Sequence, residues 1–242
     1  MKDRAEWQKK QYSRFWSGQV LKYGFDDYCK GLCELVEKRK PSSVYEMGIG
    51  TGWPFAITFH EKGIQVAGSD ISELLVEELT GRYPSIKASV ASYENINPVE
   101  EQKYDVVYCF RSTWYFPDLT KALDTMFALV KKGGVVIFDI MNKDSDYIQN
   151  MIRVHRWSFP LTVFKNILKK TATELLGKGY LIQDPWNIHE LPVSPQMIEQ
   201  YLTSKNIVYH KYSINQITDG LDKAFTDHGK PNSKVIFECQ AA

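Results

Sequence analysis

The sequence has no long apolar run, no redox- or zinc-type cysteine pair and no dominant charge. Each lack removes a class of function. Its longest apolar stretches, such as Val135–Phe138, are too short to cross a bilayer. The N-terminus, MKDRAEWQKK, is charged and lacks the apolar core of a secretory signal. Together these point to a cytoplasmic protein with no membrane attachment. There are four cysteines, of which Cys29 and Cys33 stand four apart on a predicted helix, a spacing that suits neither zinc nor a redox pair. Cys109 and Cys239 close apolar runs and read as small core residues. No metal site is expected. The formal net charge of +1 gives no global field to attract nucleic acid or an anionic membrane. The 242 residues are 43% hydrophobic, enough for one sizeable core, and a single domain is expected.

What is present is an alternation of short apolar strands and amphipathic helices. Residues 1–40 read as a helical segment, with a stripe that includes Trp7, Tyr12, Trp16, Phe25, Tyr28 and Leu32. Strands are predicted at Val44–Met47, Ile64–Ser69, Ile86–Val90, Tyr104–Phe110 and Val135–Ile140. Helices are predicted at Pro54–Lys62, at Ser72–Thr80 with Ser72 as N-cap and Gly81 as stop, and at Leu119–Val130 with Lys131–Gly134 as stop. This order argues for a doubly wound parallel sheet, whose ligand lies at the carboxyl ends of the strands. The alternation breaks after Asn142. Residues 148–186 read as an inserted cap with 6 Lys and Arg against 2 Asp and Glu, while 41–147 and 187–242 form the α/β core. A late helix is expected at Gln196–Ser204 and final strands at Ile207–Tyr212 and Lys234–Cys239.

The densest signal is Glu46-Met47-Gly48-Ile49-Gly50-Thr51-Gly52, a strand end, an acid and a turn with glycine at every second position. Asp70 closes the next strand, 20 residues after Gly50. Strand, glycine turn, helix, strand and acid make a nucleoside-binding unit. A dinucleotide fingerprint wants a small residue at position 53, where this chain has Trp53 followed by Pro54. The Lys-Ser/Thr pair of a phosphate loop is also missing. A nucleoside without phosphates remains.

On these residues the chain resembles the class I S-adenosylmethionine-dependent methyltransferases. Glu46-x-Gly48-x-Gly50-x-Gly52 matches the first motif of that family, and Ser69-Asp70-Ile71-Ser72 the acidic second. Tyr104-Asp105-Val106-Val107 matches the fourth, and Val130–Val135 the turn into the fifth strand. The resemblance covers residues 43–142 well and 191–212 loosely. It implies a Rossmann-like, mostly parallel seven-stranded sheet with N-terminal helices and a helical cap, and S-adenosylmethionine as cofactor, released as S-adenosylhomocysteine. It implies roles as well. Glu46 would hold the ammonium, Gly48, Gly50 and Gly52 would admit the methionine part, and Asp70 would accept the ribose hydroxyls. Ile71 would pack on adenine, and Phe110 and Arg111 would line the methionine end. Asp70 could instead serve as a helix-start carboxylate near Ser72, and Arg111 could instead pair with Asp118 at the surface. The Asp that the family often places after the third strand is missing here. Ser89, Val90 and Ala91 stand in that region, with Ser89 or a backbone carbonyl as the substitute contact to adenine. Tyr12 and Trp16 could close over the cofactor or simply belong to the helical stripe.

The loop after the fourth strand, Phe110-Arg111-Ser112-Thr113-Trp114, lacks the Asn/Asp-Pro-Pro-Tyr/Phe of enzymes that methylate adenine or glutamine amides. It also lacks the Pro-Cys pair of cytosine C5 enzymes. A small-molecule acceptor, aromatic or anionic, methylated on O or N, is therefore expected. The residues expected at the acceptor are Trp114, Tyr115, Asn142, His155, Trp157 and Trp186, with His189 as the catalytic base. Ordinary packing is the alternative for each aromatic, and a surface position the alternative for His189. A macromolecular acceptor docked on the basic cap, and a non-catalytic S-adenosylmethionine-binding module, stay open. Nothing in the sequence fixes an oligomeric state.

Overall fold

A computed structural model describes residues 25–98, 102–154, 192–218 and 232–241, with Phe164 and Leu168 besides. The chain enters through α1 (Asp27–Glu37), whose Asp26 N-cap accepts a hydrogen bond from the Cys29 amide at 2.8 Å. One face of α1 buries Tyr28, Cys29, Leu32, Leu35 and Val36. Then follow β1 (Ser43–Met47), α2 (Phe55–Glu61), β2 (Gln65–Asp70), α3 (Glu73–Arg82) and β3 (Lys87–Val90). After β4 (Tyr104–Cys109) a 3-10 turn, Thr113–Tyr115, leads to α4 (Leu119–Leu129), capped by Asp118. β5 (Val130–Met141) is followed by α5, helical through residues 146–154. The chain closes with α6 (Pro195–Ser204), β6 (Val208–Ser213), α7 (Ile214–Thr218) and β7 (Lys234–Gln240).

The strands form one seven-stranded sheet in the order β3-β2-β1-β4-β5-β7-β6. The first five are parallel, and β7 runs antiparallel between β5 and β6. The Rossmann-like α/β class expected from the sequence is the fold of the chain. Each face of the sheet is covered by its own core. Leu32, Val36, Phe55, Phe59 and Ile137 belong to the face under α1 and α2. Met47, Val107, Leu123, Met126, Phe138 and Phe237 belong to the face under α4 and α6. Both faces of β1 are buried, and its one charged residue, Glu46, is buried with the rest. The strand order reverses at β1, so a crevice opens above the carboxyl ends of β1 and β4.

Two boundaries differ from expectation. Gly81 does not stop α3, which runs on to Arg82. A glycine ends a helix when it takes the left-handed conformation, and Gly81 does not take it. The helix before Lys131–Gly134 does end there, at Leu129, but the run itself is strand, because β5 starts at Val130 and passes through it. Gly133 has φ +75° there, and Ala241 of the chain's end bonds back to Gly133 and Gly134 at 3.3 and 2.9 Å. The ladder with β4 shifts register at this point. Of the expected cap, residues 148–154 continue α5; beyond Phe164 and Leu168 it lies outside the described residues. Among the described residues no helix is long and apolar enough to cross a membrane.

Candidate cofactor and acceptor site

The glycine turn sits at the carboxyl end of β1. The amides of Gly48 and Ile49 both donate to the Ser69 carbonyl of β2, at 2.8 and 3.0 Å. Gly48, Gly50 and Gly52 all have positive φ, at +82°, +52° and +79°. A side chain at Gly48 would also collide, since its Cβ would lie 2.8 Å from that of Ser112. Asp70 fastens this turn to the next helix. Its Oδ2 accepts the Gly50 amide at 3.0 Å, and its Oδ1 accepts the Ser72 amide at 2.8 Å. Ser72 in turn caps α3 through the Leu75 amide. Asp70 therefore does serve the helix start, and the same carboxylate also borders the crevice.

Glu46, one residue before the end of β1, is buried at 4% exposure. The Tyr108 hydroxyl donates to its Oε2 at 3.0 Å, and the backbone of Ala56 in α2 lies near enough to favour its charged form. Among the described residues no lysine or arginine pairs with it. Burial, above all, pushes its carboxyl well above the usual carboxylate range; Tyr108 pulls the other way and nearby Asp70 adds to the rise.

The crevice is lined by Glu46, Gly48, Gly50, Thr51, Trp53, Asp70, Phe110, Arg111 and Ser112, among others. Glu46, Gly48, Gly50, Asp70, Phe110 and Arg111 of the expected donor site thus meet in one place. Gly52 stands behind the turn, where its Cβ would meet Leu79 at 2.7 Å. Ile71, Ser89, Val90 and Ala91 lie further along the sheet edge and do not line the crevice. Ile71 and Val90 are exposed there, the Ala91 amide donates to the Asp70 carbonyl, and the Ser89 hydroxyl reaches the Gly68 carbonyl. Trp53, read from the sequence as an obstacle to pyrophosphate, is itself part of the lining and packs near Phe25.

Arg111 does not pair with Asp118, whose carboxylate is committed to the Lys121 amide and the Thr120 hydroxyl. The loop after β4 turns instead through a left-handed Arg111, φ +58°. This swings the guanidinium inward to Cys29 Sγ of α1 at 3.7 Å. That turn is pinned by a residue the sequence reading passed over. Asp139 of β5 is fully buried, accepts the Arg111 amide at 2.8 Å and accepts the Tyr28 hydroxyl at 2.6 Å. Burial raises its carboxyl, against the lowering effect of Lys234, Tyr28 and Arg111. One acid inside the apolar run VVIFDIM was the available signal, since a strand buried on both faces keeps a carboxylate only with partners.

Trp114 is buried against Met141 and Ile148, with Tyr115, Tyr147 and Met151 packed alongside. Its indole Nε1 is buried without a hydrogen-bond partner. Tyr115 is half-buried beside it, ring centroids 6.1 Å apart. Asn142 is already committed on both sides of its amide. It donates to the Asn232 carbonyl at 2.9 Å and accepts from the Asp144 amide at 3.0 Å, so its side chain shapes the end of β5. It borders a second cavity of about 650 Å³, shared with Tyr147, Tyr212 and Asn232. Tyr12, Trp16, His155, Trp157, Trp186 and His189 lie outside the described residues. Among the described residues no three His, Cys, Asp or Glu could hold a metal ion. The four cysteines are buried and free, and burial pushes Cys29 and Cys239 up to about 12.

The crevice suits a cationic nucleoside. Among the described residues it offers a buried carboxylate with no cation in Glu46, a second carboxylate in Asp70, and a buried Thr51 hydroxyl with no partner. An uncompensated buried carboxylate is costly until a positive group arrives.

Comparisons agree with that chemistry. No curated protein matches the chain in sequence. Solved structures match it in fold. The plantazolicin methyltransferase BpumL, in complex with a pentazolic desmethylPZN analog and SAH, aligns at TM-score 0.59 and 12% identity over 96% of this chain and 90% of that one. A possible histamine N-methyltransferase from Thermotoga maritima aligns at TM-score 0.58 and 15% identity, over 96% of this chain and 99% of that one. Magnesium protoporphyrin IX methyltransferase from Synechocystis PCC 6803, with bound SAH, aligns at 0.53 and 15% identity over 88% and 81%. The sequence model of the family described as methyltransferase domain matches residues 20–176. With this match and the sheet, turn and carboxylates described above, the chain belongs to the class I S-adenosylmethionine-dependent methyltransferases and uses S-adenosylmethionine as its methyl donor.

Proposed function

We propose that the enzyme methylates an O or N atom of a small-molecule acceptor. The observation that carries this reading is the aromatic cluster at the carboxyl ends of β4 and β5, where half-buried Tyr115 and Tyr147 lie against buried Trp114, Met141 and Ile148. The exposed edges of the two tyrosines suit a planar, partly apolar molecule. Residues 148–186 would cover it as a cap inserted in a single domain. The four buried, free thiols fit a reducing cytoplasm.

Within this reading Glu46 takes the donor's ammonium, and Asp70 takes the ribose hydroxyls. Gly48, Gly50 and Gly52 let the backbone lie against the methionine part, with Phe110 and Arg111 beside it. Ile71, Ser89, Val90 and Ala91 flank adenine. Tyr12 and Trp16 close over the donor, while Trp114, Tyr115, Asn142, His155, Trp157 and Trp186 surround the acceptor. Bound S-adenosylmethionine supplies a methyl group already activated by a positive sulfonium. The protein's own residues therefore have to orient the acceptor and exclude water. A base is needed only for an acceptor that sheds its proton early, and His189 is assigned that role.

Transfer of labelled methyl to a panel of small acceptors, to RNA and to protein tests the reading. Label found in RNA or protein alone would establish the competing macromolecular acceptor, which the basic excess of residues 148–186 favours. His189→Ala should lower turnover far more than donor affinity. Unchanged turnover with a productive acceptor removes His189 as base.

A further inference from the structure

Four lysines among the described residues are half-buried: Lys30, Lys103, Lys131 and Lys234. Three of them end on oxygen. Lys30 reaches Asp27 at 3.0 Å, Lys103 reaches the carbonyls of Pro98 and Ala128, and Lys131 reaches Asp105 at 2.6 Å. Lys234 ends on aromatic faces instead. Its Nζ lies 4.4 Å from the centroid of Tyr28 and 5.7 Å from that of Trp114. Aromatic faces attract and orient an ammonium but offer its N–H donors no oxygen. No described carboxylate or carbonyl takes them. Asp139 lowers its own proton affinity by facing Lys234, yet forms no ion pair with it. Its two oxygens already receive the Tyr28 hydroxyl and the Arg111 amide.

The position of this ammonium gives it meaning. Lys234 opens β7 opposite Met141, the last residue of β5, so it stands at the carboxyl edge of the sheet. Two residues on, Ile236 pairs with Asp139, which puts Lys234 and Asp139 on the same face. Tyr28 and Trp114 flank it, and the chain of contacts from Tyr28 through Asp139 to Arg111 leads into the lining of the donor crevice. A fixed cation with open donors, between two rings and beside the donor site, is a place for an oxyanion.

We propose that Lys234 anchors a carboxylate or phosphate on the acceptor, and so selects anionic, ring-bearing small molecules. This rests on the reading of a small-molecule acceptor and narrows its class. The remote sequence position of Lys234, 120 residues beyond Trp114, kept it out of any motif.

The test uses benzoate and phenyl phosphate as anionic probes and benzamide as the neutral one. Ligand-observed NMR titrations are run on the full-length protein, with and without S-adenosylhomocysteine, for wild type, Lys234→Gln and Lys234→Arg. The wild type should bind at least one anion ten times more tightly than benzamide, and the preferred anion tells carboxylate from phosphate. Lys234→Gln should erase that preference, Lys234→Arg should keep it, and S-adenosylhomocysteine affinity should be equal in all three. A preference that survives Lys234→Gln, or none in the wild type, overturns the assignment. Failure of the small-molecule reading would show separately, as labelled methyl reaching only macromolecules.

Discussion

Replacing Glu46 by Gln keeps the shape of the side chain and removes its charge, with opposite expected effects on the free and donor-bound protein. In the free protein the carboxylate is 4% exposed and has no cation among the described residues. Its hydrogen bond comes from the Tyr108 hydroxyl, and a Gln oxygen can accept it as well. Glu46→Gln should therefore fold at least as stably as wild type. In the complex the donor's ammonium loses its counter-charge. One charge-assisted hydrogen bond is worth about 1.5–3 kcal/mol, so affinity should fall by roughly ten- to 150-fold. The pH dependence separates this from simple loss of shape. Burial raises the Glu46 carboxyl in the folded protein, so folding retains a proton there. Its contribution to stability is full below the unfolded value, about 4.3, and declines as pH rises toward the folded value. Donor binding needs the ionised form. Affinity should then climb with pH across the same window, with release of a proton. Calorimetric titration of S-adenosylhomocysteine, in two buffers of different ionisation heat, reads both quantities. A Glu46→Gln protein that binds as tightly as wild type, or that keeps the pH slope, refutes the assignment.

Asp105→Asn should reduce stability and leave the donor site intact. Burial alone would raise the Asp105 carboxyl, but hydrogen bonds from Lys131, Ser42 and Ser43 outweigh it and hold it well below the carboxylate range. The substitution should cost about 1–3 kcal/mol in chemical denaturation, with unchanged S-adenosylhomocysteine affinity. Because the folded value is depressed, this contribution is present above about pH 3.9 and fades as pH falls below it, a fade the variant should lack. A loss of donor affinity instead would put Asp105 in the site. Gly48→Ala should cost more than Gly63→Ala, although both glycines have φ near +80°. An added Cβ meets Ser112 at 2.8 Å in the first case and nothing within 4 Å in the second. The difference should appear in melting temperature and as at least a tenfold loss of donor affinity (about 1.4 kcal/mol) for Gly48→Ala alone. Equal behaviour of the two variants would rule out the close approach of Ser112 as the cause.

The sheet was legible because its central strands are buried on both faces and so appear as apolar runs between turn residues. What the sequence left ambiguous is local. Gly81 and the Lys131–Gly134 run both look like helix stops. The first stays in helical conformation, and the second is drawn into β5 by its pairing with the chain's end. Glu46 and Asp70 were legible because an acid at the carboxyl end of a strand, beside a glycine turn, has few structural uses. Asp105 looks equally motif-like but stands at the amino end of β4, where it binds Ser42, Ser43 and Lys131 on the opposite edge from the crevice. Edge, not residue type, decides between these acids. The supposed pairing of Arg111 with Asp118 failed for a conformational reason. A left-handed backbone at Arg111 sends the side chain toward α1, and nothing in its neighbours announces that φ.

The two ends of the active site differ in legibility for one physical reason. The glycine turn and its two acids are assembled from two consecutive strand ends, a turn and a helix start, all within residues 46–72, so local spacing carries their geometry. The acceptor end, as proposed, is assembled across the whole chain. Tyr28 of α1 meets Asp139 of β5 over a separation of 111 residues, and Lys234 of β7 meets both Tyr28 and Trp114. That meeting depends on β7 entering the sheet antiparallel, between β5 and β6, which brings the start of β7 to the carboxyl end of β5. Had β7 run parallel, Lys234 would stand at the amino edge with Asp105 and could not face the loop after β4. One reversed strand thus puts a cation at the carboxyl edge, and on the proposal made for Lys234 the topology of the sheet bears on which acceptor the enzyme can hold.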